Sequence, residues 1–253
     1  MIELTEKLKI NPQKTQIKKQ IITLGGGGFS DDPGNPILDL YILAQSGKDK
    51  PKICFLPTAS NDADDYIEKF YNAYSKLPAV PAHLSLTKGK TNASKLESFI
   101  LSHDIIFAGS GSPRLEMKIW RKTGMDRILK KAWKRGIILS GMSAGAMCWF
   151  ADIFSDPKDD NNYKRISGLG LLPGSLCPHY NNRAELRKAF SRLIAQGELE
   201  DGYGVENNCA LHFTGKDLFR AVTAYPGAKA YRVFKTGRKA SARKMKSIYL
   251  GAD

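Results

Sequence analysis

The stretch Ile137-Ile138-Leu139-Ser140-Gly141-Met142-Ser143-Ala144-Gly145-Ala146 decides how the rest of the chain is read. It opens as a short apolar, β-branched run and passes through Gly-x-Ser-x-Gly into a predicted helix, Ala144–Phe150. Strand, tight turn and helix in that order are the setting of a nucleophile elbow. The glycines leave room for the turn, and the serine oxygen is held out above the sheet edge. The helix then aims its first N–H groups at the same place.

Three further runs resemble the first: Ile21–Leu24, Ile53–Leu56 and Ile105–Ala108. Continuous apolar runs of this length suit strands covered on both faces, as in a parallel sheet. Helical stretches lie between them. Asp64–Leu77 puts Tyr66, Phe70, Ala73 and Leu77 on one face; Leu115–Trp133 is broken at Gly124; Ala184–Ile194 repeats the pattern. The alternation predicts an α/β fold, a mostly parallel sheet flanked by helices. Cys209–Phe213, Ala221–Ala224 and Tyr231–Phe234 are predicted to close one side of that sheet as antiparallel strands. This gives one domain over 21–235, with an N-terminal extension at 1–20 and a loosely held basic C-terminal tail at 236–253.

Composition narrows the function classes. The chain has 253 residues, 42% hydrophobic and 25% charged, enough to bury a sizeable core without a staple. It offers no apolar run near the roughly 18 residues of a membrane span and no apolar leader segment at its start. A cytoplasmic protein is expected, with no membrane partner. The formal charge of +14 is concentrated at the ends: residues 218–253 carry nine basic side chains and one acid. A solvated basic end is the plain reading. No RNP, zinc-finger or helix-turn-helix signature supports a nucleic-acid partner. Cys54, Cys148, Cys177 and Cys209 are scattered among apolar residues, which fits a reducing compartment. Cys177 and His179 lack a second cluster to complete a metal site, so neither metal nor organic cofactor is expected.

In such sheets chemistry gathers in the loops after the strands. These read Gly25–Ser30, Pro57–Asn61, Gly109–Pro113 and Gly141–Ala146. The tetraglycine 25–28 matches neither phosphate-binding pattern, and close backbone packing is its expected role. Ser143 needs a base. His83, His103 and His212 sit where surface, capping or core histidines are usual. That leaves His179, in a loop-rich stretch behind Pro178. The acid that orients it has four candidates in the intervening run: Asp152, Asp156, Asp159 and Asp160. A second oxyanion N–H, besides that of Ala144, is sought in Gly109–Ser112.

With these pieces assembled, the chain resembles the S51 family of serine peptidases, the group of peptidase E (aspartyl dipeptidase), with cyanophycinase further off. The resemblance runs from about 21 to 235. It rests on Gly25–Ser30, Phe55–Ser60, Gly141–Ala146, Leu171–Gly174 leading into Cys177–Tyr180, Ala210–Phe213 and Ala230–Val233. It implies a class I glutamine amidotransferase-like (flavodoxin-like) fold with serine in place of cysteine, and hydrolysis of short peptides through an acyl-enzyme. It further implies Ser143 as nucleophile, His179 as base and Asp156 as the acid, with Asp159 and Asp160 as alternatives. Ala144 and Gly111 would supply the oxyanion amides, and Arg187, or else Arg183, would bind substrate. One departure stands out. The family reads G-G-G-N-T where this chain has Gly109-Ser110-Gly111-Ser112-Pro113, and the proline removes an N–H. That change motivates one rival reading, a binding protein that kept the fold without activity; the Ser…Asp…His order, which also fits α/β-hydrolases, motivates another, a small-ester hydrolase.

Overall fold

The four apolar runs become four strands of one sheet, each covered on both faces. The computed structural model describes residues 19–88, 92–155 and 162–251. Its strands are β1 (Gln20–Leu24), β2 (Lys52–Leu56), β3 (Val80–His83), β4 (Ile105–Ala108), β5 (Ile138–Met142), β6 (Phe150–Ser155), β7 (Lys164–Ser167), β8 (Leu172–Cys177), β9 (Gly202–Val205), β10 (Cys209–Thr214), β11 (Asp217–Thr223), β12 (Ala230–Thr236), β13 (Lys239–Lys244) and β14 (Ser247–Tyr249). Its helices are α1 (Gly28–Asp31), α2 (Ile37–Ala44), α3 (Asp64–Tyr74), α4 (Ala93–Leu101), α5 (Pro113–Thr123), α6 (Met125–Lys134), α7 (Ala144–Met147) and α8 (Ala184–Gln196).

The larger sheet has the order β14-β11-β10-β1-β5-β4-β2-β3. Strands β1, β5, β4, β2 and β3 run parallel, and β10 and β11 add antiparallel pairings beside β1. Alternate residues of each apolar run serve opposite faces, as the period of two requires. Ile22, Ile53, Phe55, Ile105 and Phe107 pack with Phe29 and with α2 and α3. Ile21, Cys54, Leu56, Ile106 and Leu139 pack with α4, α5, α6 and the second sheet.

That second sheet corrects the expectation of a single one. Its order is β13-β12-β9-β8-β6-β7, so Tyr231–Phe234 lies here rather than beside Cys209–Phe213. The predicted helix Ala144–Phe150 stops at Met147, and Phe150 already starts β6. Most of the expected loose tail is paired: β13 (Lys239–Lys244) runs antiparallel to β12, and β14 (Ser247–Tyr249) pairs with β11, while residues 252–253 lie outside the described residues. Those pairings tie the basic end into both sheets.

Candidate active site

The elbow is built as the sequence implied. Ser143 follows β5 with φ 55° and ψ −113°, and α7 starts at the next residue. A non-glycine residue at positive φ costs about 1–3 kcal/mol and persists only where its surroundings enforce it. The enforcing contacts are visible: the Ser143 N–H donates to Leu24 O at 3.2 Å, and Gly145 N–H donates to Gly109 O at 3.0 Å. A Cβ on Gly145 would drive into the backbone of Ala108, and one on Gly141 would sit 3.0 Å from Ala108 O and closer still to Gly145 O. Both glycines of the motif are therefore demanded by the approach of β4 and of the turn upon itself.

The second sheet delivers the histidine. Strand β8 ends at Cys177, and His179, at φ 51°, donates its N–H to Gly25 O at 2.8 Å across the gap between the sheets. This hydrogen bond lays the imidazole over the elbow: His179 Nε2 lies 3.0 Å from Ser143 Oγ. Ser143 is nearly buried, at 8% exposure, and His179 is half-buried. The pair joins a serine carried by one sheet to a histidine carried by the other.

Behind the imidazole is an amide. His179 Nδ1 lies 2.7 Å from Asn207 Oδ1. Asn207 occupies the β9–β10 turn, Glu206–Asn208, and sequence reasoning passed over it. Of the four aspartates considered for this position, Asp156, Asp159 and Asp160 lie outside the described residues. Asp152 is on β6, with its carboxylate accepting from Arg165 Nε at 2.7 Å and from the Glu200 N–H at 3.2 Å.

The tetraglycine packs backbone on backbone. Gly26 shows why: a Cβ there would stand 2.8 Å from His179 Nδ1 and collide with Asn207 Oδ1. Phe29 anchors the loop from the other side, its ring within 5.7 Å of those of Phe55, Tyr66, Phe70, Tyr74 and Phe107. Beneath the loop, Asp39 accepts from Tyr74 OH at 2.8 Å and from the Phe29 N–H. Burial pushes its carboxyl up to about 7 against these stabilising bonds.

The two loops that carry the oxyanion candidates are adjacent. The loop after β4 abuts the elbow through the Gly109–Gly145 bond, and Ser110 N–H is held by Tyr66 OH at 3.0 Å. Gly111 lies two residues beyond Gly109, pressed on the Ala59 backbone at φ 139°. Neither Gly111 N–H nor Ala144 N–H has a hydrogen-bond acceptor among the described residues. The Ser112-Pro113 departure has a structural explanation. Ser112 caps α5, its Oγ accepting from Leu115 N–H at 3.3 Å, and Pro113 takes the first helical position, where the missing N–H has no helical partner to lose.

Arg187 is exposed on the first turns of α8, its Nη1 3.3 Å from Tyr180 O and its guanidinium 5.6 Å from the centre of the Tyr180 ring. It flanks the residue after His179. Arg183 precedes α8 and is exposed. The remaining histidines are engaged elsewhere: His83 with Tyr71 OH, His103 with Phe99 O, and His212 between Tyr41 OH and Gln20. All four cysteines are buried and unpaired, and burial pushes each thiol up. Among the described residues no group of three or more His, Cys, Asp or Glu side chains could hold a metal ion, and no helix is long and apolar enough to cross a membrane.

The pattern of Peptidase family S51 matches residues 21–221. The chain belongs to peptidase family S51. It is 44% identical over 233 residues to the uncharacterized peptidase YgaJ of Bacillus subtilis (strain 168), covering 92% of this chain and all of that protein. Among solved structures, a peptidase from an acI-B1 actinobacterium superposes with a TM-score of 0.71 at 17% identity, covering 90% of this chain and 94% of that one. A putative peptidase E protein from Listeria monocytogenes EGD-e gives 0.61 at 19%, covering 80% and 97%. These two establish a shared fold, and the family makes this chain a peptidase.

Proposed function

We propose that this S51 member is a serine-type peptidase that hydrolyses short peptides through an acyl-enzyme. The observation that carries the reading is the 3.0 Å approach of His179 Nε2 to the oxygen of a serine held at a strained elbow. His179 takes the Ser143 hydroxyl proton as Oγ attacks the scissile carbonyl. The N–H groups of Ala144 and Gly111 receive the oxyanion. His179 then protonates the departing amine, the peptide C–N bond breaks, and the ester on Ser143 is hydrolysed by a water that His179 deprotonates in turn. Arg187, which contacts Tyr180 beside the histidine loop, would meet an anionic group of the substrate.

The inactive-binder reading loses its motive, since Ser112 and Pro113 make an ordinary helix start. Four buried, unpaired thiols support a reducing, cytoplasmic setting. The test is cleavage of a dipeptide and tripeptide library by the wild type and by Ser143→Ala. A loss of at least about a thousand-fold in kcat, with folding intact, is expected. A Ser143→Ala protein that still cleaves at the wild-type rate refutes the proposal.

A further inference from the structure

The geometry assigns to Asn207 the task of positioning His179, so that the base is oriented by a neutral amide where a carboxylate is expected. The assignment rests on the reading of Ser143 and His179 as nucleophile and base. An amide oxygen only accepts, so the 2.7 Å contact makes Nδ1 the protonated nitrogen. Nε2 is then left with its lone pair toward Ser143 Oγ, the tautomer that proton transfer requires.

Asn207 is itself fixed by the two loops it faces. Its N–H donates to Asn181 Oδ1 at 3.0 Å, and the next N–H, of Asn208, donates to Gly26 O at 2.9 Å. Gly26 has to lack a side chain for the imidazole and the amide to meet. Three segments distant in sequence thus converge on one hydrogen bond.

The charges around the imidazole are committed elsewhere. From the β9–β10 turn, Glu206 accepts from the Lys229 N–H at 2.8 Å and from Tyr231 OH at 3.2 Å. From the glycine loop, Asp31 accepts from the Gly27 N–H at 3.2 Å and from Ser30 Oγ. The elbow contributes only Ser143. The histidine's own loop and the first turns of α8 contribute neutral Tyr180, the cationic Arg183 and Arg187, and Glu185, which pairs with Lys188 at 3.4 Å. Among the described residues, then, no carboxylate hydrogen-bonds the imidazole. An amide gives orientation without a carboxylate's charge.

The test compares pH profiles of kcat/KM for the wild type, Asn207→Asp and Asn207→Ala, alongside NMR titration of the His179 ring in a Ser143→Ala background. A carboxylate at this distance favours the imidazolium, so Asn207→Asp is expected to move the acid limb, and the NMR midpoint, up by about 1–3 pH units. Asn207→Ala is expected to lose on the order of a hundred-fold or more in kcat with KM changed far less, while Asn207→Asp regains activity at alkaline pH. An NMR midpoint and acid limb that stay in place with Asp at 207, or an Asn207→Ala enzyme with wild-type kcat, overturns the assignment. The NMR arm needs no turnover, so it reads the amide's role even if Ser143→Ala shows the peptidase proposal to be wrong.

Discussion

Replacing Asp39 by Asn tests how the glycine loop is supported. Asp39 is 1% exposed, beneath Gly28, and burial raises its carboxyl from 3.8 to about 7. Below pH 3.8 the folded and unfolded chains both hold the proton, and the group contributes no pH dependence. Between 3.8 and about 7 the unfolded chain has released a proton that the folded one retains. Stability therefore falls as pH rises across that window and levels off above it. At about 1.4 kcal/mol per pH unit, the part of the window between about pH 5 and 7 amounts to about 3 kcal/mol. Asparagine keeps the shape and cannot ionise. The stability of the Asp39→Asn protein relative to wild type is expected to rise by about 3 kcal/mol between about pH 5 and pH 8. Urea unfolding followed by fluorescence reads this directly, because Trp120, Trp133 and Trp149 are all buried. A gap between the two proteins that is the same at both pH values refutes the reasoning.

Three other substitutions probe the site's construction. Gly145→Ala puts a methyl group into the backbone of Ala108, and a loss of about 1–3 kcal/mol in unfolding free energy is expected, with activity reduced further because the elbow must shift. Ser143→Gly removes the proposed nucleophile and the positive-φ strain together; an inactive protein about 1 kcal/mol more stable than wild type is the expected result of combined activity and melting measurements. Tyr66→Phe takes away the acceptor of the Ser110 N–H, and steady-state kinetics should show a fall in kcat of about ten-fold with little change in KM, since Gly111 sits on the loop so loosened.

Much of the site could be read from residue order. The elbow is legible because its constraints are local: strand, turn and helix are contiguous, and each glycine answers to a backbone within the same few residues or the neighbouring strand. His179 emerged by elimination, and the other three histidines have structural partners. The second sheet was hidden for a physical reason. Leu172–Cys177 contains Pro173 and Gly174, which read as loop punctuation, yet the strand forms with Gly174 at φ 78°. Lys239–Lys244 carries no apolar alternation because much of it faces solvent; its backbone pairing with β12 makes the strand. Asn207 left no signal of its own. Two asparagines between strands are what any turn would show, and only the fold reveals that the first meets an imidazole 28 positions earlier in sequence.

The proposed peptidase stands or falls on whether His179 activates Ser143. A fluorophosphonate probe followed by peptide mass spectrometry measures that most directly. Phosphonylation is expected at Ser143 in the wild type, with near-complete loss in His179→Ala at the same pH. Modification at another residue, or equal labelling of Ser143 with and without the imidazole, would contradict it.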